Sequence, residues 1–215
     1  MNTKRIMFWS GFFVVLALIV WGLIVAMNKP VTSQEPKDPA PVNESDYIFG
    51  KSDGVFTLIE YSDFQCPACR TYYYFVDKLL NSTTSVRFIY RHFPLPQHPN
   101  AIPAALAFES AGVQGKSFDM YKALFENYDE WVELADPKPE FVKYAESLGL
   151  NSAKFSEDMA STTLRKRIDD NAKEGQKIGI NATPTFFVNG KFINNPPSYA
   201  EFEKLIQEAA TTTTQ

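Results

Sequence analysis

The chain has 215 residues, 45% of them hydrophobic, and a formal net charge of −4. That is length for one ordinary domain plus an appendage, with enough apolar residues to bury a core. Acidic and basic residues are interspersed, so the basic footprint that nucleic-acid binding requires is missing and no nucleic acid is expected as a partner.

Residues 7–27, MFWSGFFVVLALIVWGLIVAM, carry no charge and are apolar apart from Ser10 and two glycines. A helix spanning a bilayer needs roughly 20 such residues, so this run is expected to be an uncleaved transmembrane anchor. The competing reading is a cleaved signal peptide, which has a shorter apolar run and a small-residue cleavage site. Lys4 and Arg5 precede the run, whereas Lys29 and Lys37 beyond it are mixed with Glu35 and Asp38. This bias places residues 1–6 in the cytoplasm and the rest of the chain outside. Residues 28–46 hold Pro30, Pro36, Pro39 and Pro41 among polar residues. Such a stretch reads as an extended tether, reaching up to ~50–60 Å at ~3.1 Å per residue.

From residue 47 to 210 the pattern is that of a mixed α/β domain. VFTLIEYS (55–62) and SVRFIYRHF (85–93) are short apolar, β-branched and aromatic runs separated by helical spacing, which makes a β-α-β unit. Helix formers dominate the region from about 98 to 178. PTFFVNGKFI (184–193) then reads as a hairpin turning at Asn189-Gly190. SYAEFEKLIQEAA is a closing amphipathic helix with Ser198 as its N-cap, and residues 211–215 form a frayed, disordered tail. The order suits two strand-helix units joined by a removable insertion.

The chain's two cysteines, Cys66 and Cys69, stand two residues apart between the first strand and its helix. A helix starting there puts Cys66 at the N-cap and Pro67 at N1, where a missing N–H costs nothing. Cys66 then faces unpaired backbone N–H groups and the positive end of the helix dipole, which favour thiolate over thiol. Cys69 lies one turn on, within disulfide reach and more deeply placed. An exposed nucleophile with a resolving thiol is what thiol–disulfide exchange requires. The alternatives are half a zinc site, an incidental structural disulfide or two reduced core cysteines. No metal is expected, because the only histidines, His92 and His98, lie in His-Phe-Pro-Leu-Pro-Gln-His, a spacing unlike a finger helix. Both histidines are expected to be structural.

These residues resemble the thioredoxin-fold disulfide oxidoreductases of the DsbA-like class, particularly the membrane-anchored BdbD-type branch, from about Val55 to Ala210. The resemblance rests on Cys66-Pro67-Ala68-Cys69 after a strand, RHFPLPQHPNA, the helical insertion, Thr183-Pro184-Thr185 opening the hairpin, and the last helix. It implies a thioredoxin fold with an inserted helical subdomain, preceded by a single N-terminal transmembrane helix, in a single-pass cell-membrane protein with its C-terminal domain extracytoplasmic. It also implies that Pro184 is cis and faces the Cys66–Cys69 redox-active disulfide, and that Thr183, Pro67 and Ala68 meet extended substrate. Glu60 becomes a buried acid beneath Cys69, shuttling its proton. The competing readings are a trans Pro184 and a solvated Glu60 at a sheet edge; Arg91 is a possible ion partner for Glu60. The activity implied is the introduction of disulfides into exported or cell-surface protein thiols. It needs no cofactor beyond the disulfide, and a membrane quinone-linked partner reoxidises the pair. Ala68 stands where strongly oxidising relatives carry histidine, which leaves open a membrane-tethered reductase or isomerase. A non-catalytic binding or chaperone module is the alternative from outside the enzymes.

Overall fold

A computed structural model of the chain describes residues 16–23, 35–83 and 85–212. It divides into two units, residues 1–34 and 35–215. In the first, residues 16–23 form helix α1, with Leu16, Leu18, Ile19, Trp21 and Leu23 exposed. The remainder of the expected anchor, the expected cytoplasmic residues 1–6 and residues 28–34 of the expected tether lie outside the described residues. Among the described residues no helix is long and apolar enough to cross a membrane.

The second unit is built on a mixed sheet with strand order β1-β3-β2-β4-β5. Strands β2 (Phe56–Ser62) and β3 (Val86–His92) are parallel and joined by α2 (Pro67–Ser82). Strands β4 (Thr185–Val188) and β5 (Lys191–Ile193) form the hairpin, and β4 pairs antiparallel with β2. Asn189 and Gly190 both take positive φ, 48° and 84°. A two-residue turn needs this to match the twist of its strands.

Alternation along the strands sorts the chemistry. Leu58, Glu60 and Ser62 share one face with Phe88, Tyr90 and His92, while Ile59 and Tyr61 share the other with Ile89 and Arg91. Both faces are covered, which is why these strands read as near-continuous apolar runs. The first face is packed by α2 and by most of the insertion, α3 (Ala101–Val113), α4 (Ser117–Glu126), α5 (Tyr128–Trp131), α6 (Lys138–Ser147) and α7 (Ser152–Asp158), whereas α8 (Thr162–Ile178) brings Glu174 to Tyr61 and Ile178 to the cluster on the second face. Phe64 shows how closely these parts interlock, with its ring 4.8 Å from Tyr90, 5.6 Å from Phe108 and 5.0 Å from Phe125. The insertion is therefore not a removable attachment. It shares one core with the sheet and α2.

Three sequence expectations need correction. Strand β1 (Tyr47–Gly50) was not foreseen; it pairs antiparallel with β3, and its Tyr47 ring stacks edge-on against Phe108 at 4.9 Å. Four residues are too few to show a period, and an insertion residue far along the chain supplies the packing. The tether expected over 28–46 is not free from Glu35 onward. Lys37 N–H donates to Ile178 C=O at 2.8 Å and Ala40 N–H to Glu174 Oε1 at 2.9 Å, because buried Arg91 needs the acceptors this segment carries. The closing helix α9 (Tyr199–Thr212) includes 211 and 212, so these are not tail; residues 213–215 lie outside the described residues. The Ser198 cap is present, its Oγ accepting Glu201 N–H at 3.4 Å.

Candidate active site

The corner between β2 and α2 sets the two thiols apart. Cys66 is the N-cap of α2 and Pro67 opens its first turn, an arrangement that leaves backbone N–H groups pointing at the Cys66 sulfur. Cys66 is 7% exposed and Cys69, on the inner side of the same turn, 0%. Both are free thiols. The Cys66 thiol is pulled down from 9.0 to about 5, first because the Cys69 thiol donates to its sulfur. Burial opposes this, and Thr183 with the N–H groups of Cys69 and Ala68 adds to it. Cys69 moves the other way: burial, then its hydrogen bond to Cys66 and the charge there, push its thiol well up.

The loop before β4 closes the site. The Thr183–Pro184 peptide is cis, and the Thr183 carbonyl accepts from the Cys66 thiol at 3.5 Å. The Thr183 hydroxyl is buried without another partner among the described residues, free to donate to the Cys66 thiolate. Pro67 and Ala68 are exposed beside Cys66. Pro67 and Ala68 thus stand on the exposed side of the buried Cys66, and Thr183 lies buried against its sulfur.

Glu60 lies on the core side, wholly buried, so it is not a solvated edge residue. Arg91 is not its partner: Glu60 pairs with Tyr90 in the β2–β3 ladder, and Arg91 one residue on faces the opposite side. Neither Glu60 carboxyl oxygen has a hydrogen-bond partner in normal geometry among the described residues. Burial therefore pushes its carboxyl up from 4.5 to about 8, with the Cys66 charge adding slightly and the nearby Ser62 hydroxyl opposing. The hydroxyls of Ser62, Tyr90 and Tyr121 are unpartnered too, and the Tyr90 and Tyr121 rings are 5.3 Å apart. A buried polar group without a partner costs about 1–3 kcal/mol, so such a cluster is a sizeable share of a domain's stability of about 5–15 kcal/mol.

Sequence reasoning missed the residues that hold the corner rigid. Asp63 accepts Gln65 N–H at 2.7 Å, Leu95 N–H at 2.8 Å and His98 Nδ1 at 2.6 Å. Gln65 reaches into the insertion, its Nε2 donating to Val132 C=O at 2.9 Å and its Oε1 accepting Asn100 N–H at 2.6 Å. Tyr128 Oη donates to the Gln65 carbonyl at 2.6 Å, and Arg70 clasps Asp129 with two bonds of 2.7 Å. His92 pairs at 2.9 Å with Glu109 in the core. The two histidines thus make structural contacts, and among the described residues no group of three His, Cys, Asp or Glu side chains is placed to hold a metal.

A cysteine pair at a strand–helix corner, facing a cis-proline loop, defines a class of thiol-bearing α/β domains. The family model described as thioredoxin matches residues 42–208, and the chain belongs to the thioredoxin family. It is similar in fold to BdbD from Bacillus subtilis, with a TM-score of 0.69 at 21% identity over 83% of this chain and 100% of that one. Similar too is α-DsbA1 from Wolbachia pipientis, with a TM-score of 0.70 at 21% identity over 80% of this chain and 94% of that one. Among curated proteins it is 36% identical over 173 residues to a Na(+)/H(+) antiporter NhaA 1 of Mycobacterium sp. strain KMS, covering 77% of this chain. The chain spans about a quarter of the length of the curated relatives it matches, 26% in that case.

Proposed function

We propose that the protein is a membrane-anchored thiol:disulfide oxidoreductase that introduces disulfides into exported or cell-surface proteins. The observation that carries this reading is the division of the two thiols: Cys66 drawn down to about 5 at the mouth of the site, and Cys69 pushed up beneath it. The apolar run 7–27 supports membrane attachment, as do relatives named as antiporters. The domain then sits on the extracytoplasmic side, where disulfides persist.

In the oxidised protein a substrate thiolate attacks Cys66 Sγ, forming a mixed disulfide while the Cys66–Cys69 bond breaks and Cys69 leaves with the electron pair. Glu60, protonated up to about pH 8, supplies the proton that Cys69 then holds. A second substrate thiolate attacks the substrate sulfur of the mixed disulfide, closing the product disulfide and releasing Cys66 as a stable thiolate. Two electrons have passed from substrate to protein, and a membrane quinone-linked partner removes them. The redox-active disulfide is the sole cofactor this cycle requires.

Cys69→Ser tests the roles, since Cys66 still attacks while the thiol that resolves the mixed disulfide is gone. It is expected to accumulate substrate adducts on non-reducing gels, and Cys66→Ser is not. Equal trapping by both variants overturns the assignment. Ala68, lacking a cationic side chain beside the thiolate, favours a second reading as reductase or isomerase. A reduction potential in glutathione buffers near −120 mV supports the oxidase and one near −270 mV the reductase.

A further inference from the structure

We infer that the cleft beside Pro67 receives a lysine or arginine side chain of the polypeptide whose sulfur exchanges at Cys66. The inference rests on Cys66 being the exchanging thiol and adds what the substrate must carry next to its own cysteine.

The cleft holds about 300 Å³ and lies between Pro67, His98, Tyr128, Val132, Glu133 and Leu134. One wall is the residue after Cys66; another, Tyr128, is bonded to the carbonyl of the residue before it. Any chain presenting a sulfur to Cys66 brings its neighbouring residues to this cleft, since extended residues are only about 3.3–3.6 Å apart. The volume sits at the bottom of the range for ligand sites, suiting one long side chain rather than a folded partner. Pro67, Val132 and Leu134 offer apolar surface, and Leu134 is 42% exposed.

Charge decides which side chain. The acids and bases around the cleft are paired with one another: His98 with Asp63, Arg70 with Asp129, and Tyr144 with Glu130. Glu133 is the exception, an exposed carboxylate with no partner among the described residues. From Lys122 to Lys138 the chain carries Glu126, Asp129, Glu130, Glu133 and Asp136 with no basic residue between. A lysine or arginine lays its aliphatic stem on the apolar walls and its head against Glu133. An acidic side chain would meet both Glu133 and the Cys66 thiolate.

The test uses the full chain, oxidised, and reduced peptides of one sequence, each with a single cysteine whose flanking residues are Lys, Ser or Glu. One peptide thiolate attacks Cys66 as Cys69 leaves, and a second peptide thiolate attacks the peptide sulfur of the mixed disulfide, giving the peptide disulfide and the reduced protein. Each rate is divided by the same variant's rate with 2-mercaptoethanol, which is neutral and too short to fill the cleft. The expected order is Lys, Ser, Glu, with Lys over Glu by about tenfold at low salt and the gap narrowing in high salt. Glu133→Gln should shrink that ratio and Glu133→Lys collapse or invert it. A Lys/Glu ratio of one, or a ratio that Glu133→Lys leaves as it was, overturns the inference while the redox reading stands. Failure of the unaltered, oxidised protein to oxidise 2-mercaptoethanol overturns the redox reading itself.

Discussion

Two buried polar clusters lie back to back across strands β2 and β3, and they are built in opposite ways. On one face Arg91 has every nitrogen occupied: Nε and Nη2 on Asp46 at 2.9 Å, Nη1 on Ala40 C=O at 3.0 Å and on Tyr61 Oη at 2.9 Å. Tyr61 Oη in turn donates to Glu174. On the other face the side-chain oxygens of Glu60, Ser62, Tyr90 and Tyr121 have no partner in normal geometry among the described residues. A fully satisfied network fixes structure, here the docking of residues 35–46. The other cluster costs the fold stability, and burial there keeps Glu60 protonated up to about pH 8, which suits the proton-donor role proposed for it.

The satisfied side should break hardest. Asp46→Ala leaves Arg91 charged and buried without its carboxylate, so stability should fall by about 3–5 kcal/mol, measured in denaturant melts. A loss below about 1 kcal/mol would mean that the ion pair does not hold the segment.

On the opposite face the sign reverses. Glu60 is protonated at pH 7 in the folded chain but ionised in the unfolded one, so the folded state forfeits its ionisation there. Glu60→Gln should therefore raise stability at pH 7 by up to about 3.4 kcal/mol, from the 2.5 pH units between 4.5 and 7 at about 1.36 kcal/mol each, while slowing release of Cys69 from its disulfide. A destabilised variant would show that Glu60 is satisfied after all.

The pH dependence sharpens the contrast. Glu60 has a raised folded value, so its contribution is full below 4.5 and is lost as pH rises to about 8. Cys66 in the reduced protein is depressed, so its contribution is full above 9.0 and is lost as pH falls through about 5. Between about pH 5 and 8 the two slopes oppose, and the reduced protein should be nearly flat. The oxidised protein has no thiolate and should lose about 1.4 kcal/mol per pH unit across the same window. Parallel curves for the two forms would refute the thiolate at Cys66.

The smallest effect compares two phenols. Tyr61→Phe breaks the hydrogen bonds to Arg91 and Glu174 and should lose about 1 kcal/mol or more. Tyr90→Phe removes an unpartnered hydroxyl and should change stability by less than about 0.5 kcal/mol. Equal losses would erase the distinction between the faces.

Local rules made much of this site readable from the chain. The proline after Cys66 marks a helix start, Asn189-Gly190 marks a turn, and both lie where those residues place them. Strand parity could also have excluded an Arg91–Glu60 pair, because residues paired in register with Glu60 and Tyr61 must face opposite sides. Tyr121 and Tyr128 were out of reach. They come to the site from the insertion, 55 and 62 residues beyond Cys66 by their numbering, and no local pattern records where a helix that far away will pack. The docked segment 35–46 was hidden for a related reason: its prolines describe an extended chain correctly, but two of the acceptors Arg91 uses there are the backbone carbonyls of Ala40 and Pro41, which every sequence carries, and no local pattern marks Asp46 as its ion partner.

The hydrogen bond from Lys37 to Ile178 joins the N-terminal segment to the last residue of α8. Five residues after Ile178 the chain reaches Thr183, whose carbonyl faces Cys66. Tension applied at residue 35 thus meets the insertion's last helix first, through Lys37 and Ile178, and reaches strand β3 only further on, through Arg91. The mechanical load path into the domain runs past its reactive sulfur.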